Sequence, residues 1–216
     1  MPRRFHSNAA DRFGLWLSLV ERLPRVQEAA GSNPASPIAF ELESARPPND
    51  RLLRSVMSEG LKTGDRAPKF KALAIGGKYG AGRQVSLSEF KGSPVVLYFY
   101  PKDDTPGCTV QACGLRDAWG KLPTEANIFG VSVDSKASHE KFIAKYDLPF
   151  PLLSDVDKKT VNSYGVWVEK SMYGRKYMGA ERTTFVIDGA GRIATILRKV
   201  KPEEHVKLLE EALRAV

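Results

Sequence analysis

The sequence predicts an α/β fold, a mixed central sheet flanked by helices, behind an N-terminal extension. Three observations carry that reading. Val95 to Tyr100 (VVLYFY) is a near-continuous apolar, β-branched and aromatic run, as a strand covered on both faces requires. Further strand-like runs alternate with helical patterns along the chain. Near the C-terminus, Asp188-Gly189 and Ala190-Gly191 give the tight connection of a hairpin between the last two strands.

Taken in order, residues 1–56 use arginine only, and the first lysine is Lys62. SNPASP (residues 32–37) and ARPPND (residues 45–50) are loop-forming clusters that interrupt any long helix. Asp11 to Ala30 is an amphipathic stretch, a helix broken or kinked at Pro24. We read residues 1–56 as a poorly ordered extension or an upstream translation start, and residues 57–216 as the folded domain. An organelle-targeting peptide is the competing reading, and the six acids of that segment argue against it.

After the Val95 strand, residues 107–121 read as a helix begun by Thr105-Pro106, an N-cap and a first-turn proline. Ile128 to Val133 is the next strand. Ser138 to Tyr146 reads as a helix with Ser138 as cap and Phe142, Ile143 and Tyr146 on one face. Lys158 to Tyr164 is a short helix, and Thr183 to Ile187 and Arg192 to Leu197 are strands. Pro202 to Val216 closes the chain with Val206, Leu209 and Leu213 at helical spacing.

Composition narrows the function. In 216 residues, 42% are hydrophobic and 27% charged, as in a globular protein with a core. No stretch approaches the ~20 apolar residues of a spanning helix, so no membrane role is expected. The net charge of +8 is dispersed singly or in pairs, without zinc-finger spacing or a basic run with interleaved aromatics. That pattern is a solvated basic surface and not a nucleic-acid face. Two cysteines are too few for a disulfide framework or a four-thiolate zinc site. His6, His139 and His205 are read as solvated, and no metal is expected. Trp119 and Trp167 are read as core or groove-lining aromatics.

The chemistry concentrates where the Val95 strand runs into residues 102–113, KDDTPGCTVQAC. Cys108 falls in the first turn of the following helix, facing unpaired N–H groups and the positive end of the dipole. Both favour thiolate over thiol. Thr105, three residues upstream, brings a hydroxyl that is both donor and acceptor. Plainer readings stand beside these. Cys108 is then a small buried hydrophobe, Cys113 a packing residue, and Arg182 a surface ion-pair partner.

Pro101, Thr105 and Cys108 match P-x-x-x-T-x-x-C, and the string YFYPKDDTPGCTVQAC resembles the peroxiredoxins. It is most similar to their bacterioferritin comigratory protein and peroxiredoxin Q group, which carry a second cysteine five positions after the first. The likeness runs from about Lys62 to the C-terminus, through GDRAP (residues 64–68), VSLSEFKG and the segment of residues 172–188. At Gln111 many members of that group have Glu and others Gln.

The resemblance implies a thioredoxin-like fold and a thiol peroxidase acting on hydrogen peroxide and organic hydroperoxides. By the same resemblance Cys108 is the peroxidatic nucleophile, oxidised to a sulfenic acid, and Cys113 the resolving thiol that closes an intramolecular disulfide. Arg182 stabilises the thiolate and the leaving oxygen. Thr105 orients the peroxide, and Pro101 shields the sulfur. No cofactor is required. Thioredoxin or a glutaredoxin-like donor would regenerate the dithiol. The intramolecular pair points to a monomer, and a cytoplasmic location follows if residues 1–56 carry no targeting role.

One consequence follows from spacing alone. Across five residues of regular helix the rise is ~7.5 Å and the rotation ~140°, a Cα separation of ~8.7 Å. A disulfide spans no more than ~7 Å without backbone movement, so pairing requires the helix to unwind locally. A rival function is a disulfide exchanger or redox-sensing binding protein on the same fold. Exchangers of the thioredoxin type separate their cysteines by two residues, and here four intervene.

Overall fold

The structure, a computed structural model, describes residues 60–172 and 174–216. The extension expected over residues 1–56, its helix over residues 11–30, and His6 lie outside the described residues.

Thirteen regular elements follow one another among those residues. They are β1 (Lys71–Ile75), β2 (Arg83–Ser86), β3 (Val95–Phe99), α1 (Pro106–Ala118), β4 (Asn127–Ser132), α2 (Lys136–Tyr146), β5 (Leu152–Ser154) and α3 (Lys159–Ser163), then β6 (Trp167–Met172), β7 (Arg175–Ala180), β8 (Thr183–Ile187), β9 (Ile193–Arg198) and α4 (His205–Leu213). Seven strands form one sheet in the order β2-β1-β5-β4-β3-β8-β9, and β6 pairs with β7 as a separate antiparallel ribbon. The β3–β4 and β4–β5 pairs are parallel, while β8 runs antiparallel to both β3 and β9. The sheet is therefore mixed, as a thioredoxin-like fold requires.

β3 explains why its sequence is apolar without alternation. All five of its residues are buried. Val95, Leu97 and Phe99 enter one core with Phe129, Val161, Tyr164 and Phe185. Val96 and Tyr98 point to the other face and pack with Cys108, Ala112 and Leu115 of α1, Phe142 of α2 and Leu209 of α4. A side chain of this size stabilises by roughly 1.5–3 kcal/mol when fully buried, so every position favours an apolar residue. β3 ends where both cores still cover it, and the chain leaves the sheet into α1, which packs on the Val96 and Tyr98 face.

Several elements depart from expectation in detail. The helix expected from residue 202 begins as a 3-10 turn, Pro202–Glu204, before α4. α2 starts two residues earlier than expected, and its cap is Ser135, whose Oγ accepts from the Ser138 N–H at 3.3 Å. Ser138 is thus free for another partner. The largest correction concerns the histidines. His139 and His205, expected in solvent, are both fully buried. Each has a long-range polar partner that its sequence neighbours did not disclose. Trp119 packs against Phe150 with ring centroids 5.4 Å apart, and Lys158 lies 5.0 Å over the ring of Trp167, in keeping with the aromatic reading. Among the described residues no helix is long and apolar enough to cross a membrane.

Candidate active site

Cys108 is the third residue of α1, behind Pro106 and Gly107. Proline at the first helical position loses no intrahelical bond and presets the backbone, so the helix begins sharply here. Thr105 occupies the N-cap in extended conformation, and its carbonyl accepts the Thr109 N–H at 2.8 Å. Its hydroxyl does not cap the helix. It donates instead to the Lys102 carbonyl at 3.0 Å, which leaves the oxygen lone pairs as the free hydrogen-bonding capacity of the side chain.

Arg182 arrives from 74 residues away. The register Phe99↔Thr183 sets the start of β8 against the end of β3, so the residue before β8 overhangs the first turn of α1. Its Nη2 lies 3.5 Å from the Cys108 sulfur, and its Nη1 donates to Oε1 of Gln111, one turn further along α1. A guanidinium holds its donors in a rigid fork, so fixing one nitrogen on Gln111 aims the other at the sulfur. Gly107 makes room for this: a Cβ there would stand 3.3 Å from Arg182 Nη2 and 3.4 Å from Pro202 Cγ.

The surroundings are largely dry. Cys108 is 3% exposed, and Tyr98, Gln111, Thr184 and His205 are buried. Burial, and then the nearby Asp103 carboxylate, raises the Tyr98 hydroxyl well above the ordinary tyrosine range. Burial and then the Arg182 charge hold His205 at about 4, so it is neutral at pH 7. Its Nε2 meets Thr184 Oγ1 at 2.9 Å. Lys170 of β6 donates to the Ala180 carbonyl at 2.5 Å, and burial followed by Arg182 lowers its ammonium.

Of the five residues singled out in the sequence, Cys108 and Arg182 are in direct contact. Thr105 and half-buried Pro101 occupy the loop that feeds α1. Cys113 sits on the same helix, half-buried, and both cysteines are free thiols. Sequence reasoning treated Gln111 as a variation and passed over Asp103. The paired acids in KDDTP were the available signal for the latter. No group of three or more His, Cys, Asp or Glu among the described residues is arranged to hold a metal ion.

The AhpC/TSA family profile matches residues 63–196. The chain belongs to that family. A peroxiredoxin bcp of Coxiella burnetii is 52% identical over 126 residues, which cover 58% of this chain and 83% of that one. Peroxiredoxin Bcp of Bacillus subtilis is 46% identical, over 68% of this chain and 90% of its own. Among solved structures, peroxiredoxin Q of Xanthomonas campestris superposes with a TM-score of 0.61 at 37% identity, covering 68% of this chain and 90% of that chain. PrxQ of Xylella fastidiosa gives 0.65 at 32% identity, covering 72% and 96%. A further Xanthomonas campestris structure is described as an alkyl peroxide-reducing bacterioferritin comigratory protein. The chain is thus a peroxiredoxin, an oxidoreductase of the thiol peroxidase class, similar to Bcp and peroxiredoxin Q proteins.

Proposed function

We propose that this peroxiredoxin reduces hydrogen peroxide and alkyl hydroperoxides through Cys108, with Cys113 as the resolving thiol. The observation that carries the reading is the contact between Arg182 Nη2 and Cys108 Sγ at 3.5 Å. The Cys108 sulfur attacks one peroxide oxygen, an S–O bond forms and the O–O bond breaks. The leaving oxygen departs as water or alcohol after taking a proton, and Cys108 becomes a sulfenic acid. Arg182 stabilises the charge that develops on sulfur and on the leaving oxygen. Thr105 accepts a hydrogen bond from the peroxide proton through its free lone pairs, and Pro101 keeps bulk water off the sulfur. Alkyl hydroperoxides are included because the Xanthomonas campestris relative reduces alkyl peroxide.

Cys113 then attacks the sulfenic sulfur, a disulfide forms, and the hydroxyl leaves as water. Two electrons from an external dithiol of the thioredoxin or glutaredoxin class restore both thiols. Both reacting cysteines belong to one helix, so a single chain completes the cycle, and we take the working unit to be a monomer.

The test is thiol counting after one equivalent of hydrogen peroxide. Wild type should lose both thiols within seconds, Cys108→Ser should consume no peroxide, and Cys113→Ser should undergo the first oxidation but turn over slowly. Survival of both wild-type thiols for minutes would overturn the reading.

A further inference from the structure

The loop of residues 101–105, which carries Pro101 and Thr105 into α1, is fastened from beneath by a buried polar cluster. Asp103 is 6% exposed although it lies between the exposed residues Lys102 and Asp104. Its carboxylate accepts three hydrogen bonds: from Tyr100 OH to Oδ1 at 2.7 Å, from Ser138 Oγ to Oδ2 at 2.7 Å, and from His139 Nδ1 to Oδ2 at 2.9 Å. The other ring nitrogen of His139 faces the Leu153 carbonyl at 3.3 Å. Both ring nitrogens of His139 therefore face oxygen atoms, and the ring is held from either side. The Asp103 backbone N–H donates in turn to Asp134 Oδ2 at 2.9 Å.

A second fastening lies just outside. Asp104, held at φ 52°, takes Lys145 Nζ at 2.7 Å and Tyr146 OH at 2.6 Å. Asp103 is thus tied to the first turn of α2 and Asp104 to its last. α1 itself is tied to α2 at Arg116, whose Nη1 donates to the Tyr146 carbonyl at 2.9 Å. Between these fastenings lies the stretch from Pro106 to Leu115 with both cysteines, the stretch that must open for them to meet.

We propose that the buried Asp103–His139 pair is a positioning device, holding the loop of residues 101–105 in place while the first turns of α1 unwind and rewind. This rests on the peroxidase reading above. The pair touches no reacting atom. It fixes where Thr105 and Pro101 stand, so the sulfur returns to the same surroundings after each reduction. Loosening it should slow the attack on peroxide, which needs those two residues in register. It should spare the condensation with Cys113, which needs only an open helix.

Stopped-flow oxidation of the reduced full chain by hydrogen peroxide separates the two steps. The first is bimolecular and the second is unimolecular. His139→Leu removes the donor to Asp103 and should slow the first step at least tenfold while the second stays within threefold of wild type. His139→Asn keeps an N–H toward Asp103 and should return the first step to within threefold. The proposal is overturned if His139→Leu oxidises at the wild-type rate, if it slows both steps in equal proportion, or if His139→Asn recovers nothing. Should His139→Leu not fold, Ser138→Ala removes one of the three donors in its place. A first step at least threefold slower with unchanged condensation supports the proposal, and a wild-type rate overturns it. A wild type that consumes no peroxide overturns the functional reading and this inference together, whereas variant behaviour bears on the inference alone.

Discussion

At Gly107, local stability and chemistry pull in opposite directions. Glycine in a helix costs about 0.5–1 kcal/mol relative to alanine, and less in a first turn than in the middle. Here the missing Cβ is what lets Arg182 approach, because that atom would sit 3.3 Å from Nη2 and against Pro202. Gly107→Ala should leave the denaturation midpoint unchanged or slightly raised and lower kcat/KM about tenfold, read by steady-state peroxidase kinetics beside urea melts. Gln111 acts on the same arginine from the far side. Its Oε1 holds Nη1, while its Nε2 is buried with no partner among the described residues. None of this was visible in the residue types. Arg182 came from likeness to a family, since 74 residues separate it from the sulfur, and composition gives no clue to a contact so remote.

α1 makes its own prediction. The two cysteines share a helix that runs unbroken from Pro106 to Ala118, and regular geometry keeps their Cα atoms ~8.7 Å apart. Amide exchange across residues 107–113 should therefore lose protection in the disulfide form, while the Asp103 N–H, bonded to Asp134, keeps it. Equal protection of the helix in both redox forms would contradict this. The sequence disclosed most directly the strands that are buried at every position. β3 and β8, buried at every position, read directly as strands. The ribbon of β6 and β7 did not, because β7 is exposed at four of six positions and shows no alternation. β5 is three residues long, too short to stand out. His139 and His205 were misjudged for a related reason. Each lies beside exposed residues in the chain, and its partner, Asp103 or Thr184, comes from another element.

Across the molecule, two buried groups among the described residues, His205 and Asp103, contribute to the response to acid in separate windows. His205 titrates at about 4 in the folded protein, against an ordinary 6.5. The unfolded chain then binds the extra proton between those values, so stability falls as pH drops from about 6.5 to 4. The full loss is on the order of 3 kcal/mol, and His205→Gln should flatten that slope in denaturant midpoints measured against pH. Asp103 answers lower down. Burial pushes its carboxyl up, but the donors His139, Tyr100 and Ser138 outweigh it and hold the group below the usual value of 3.8. Its contribution is complete above about pH 4 and is lost as pH falls through its folded value. Asp103→Asn should therefore be destabilised by about 3 kcal/mol at pH 6, with the gap to wild type closing below pH 4.

The tie between Arg116 and the end of α2 gives this architecture a mechanical character. With Leu115 sunk in the core and Arg116 latched to Tyr146 on one side, and Asp103 and Asp104 anchored to α2 on the other, α1 resembles a spring bolted at both ends. If a disulfide opens the turns between those bolts, cutting it leaves them only one place to close, because neither end of the path has moved.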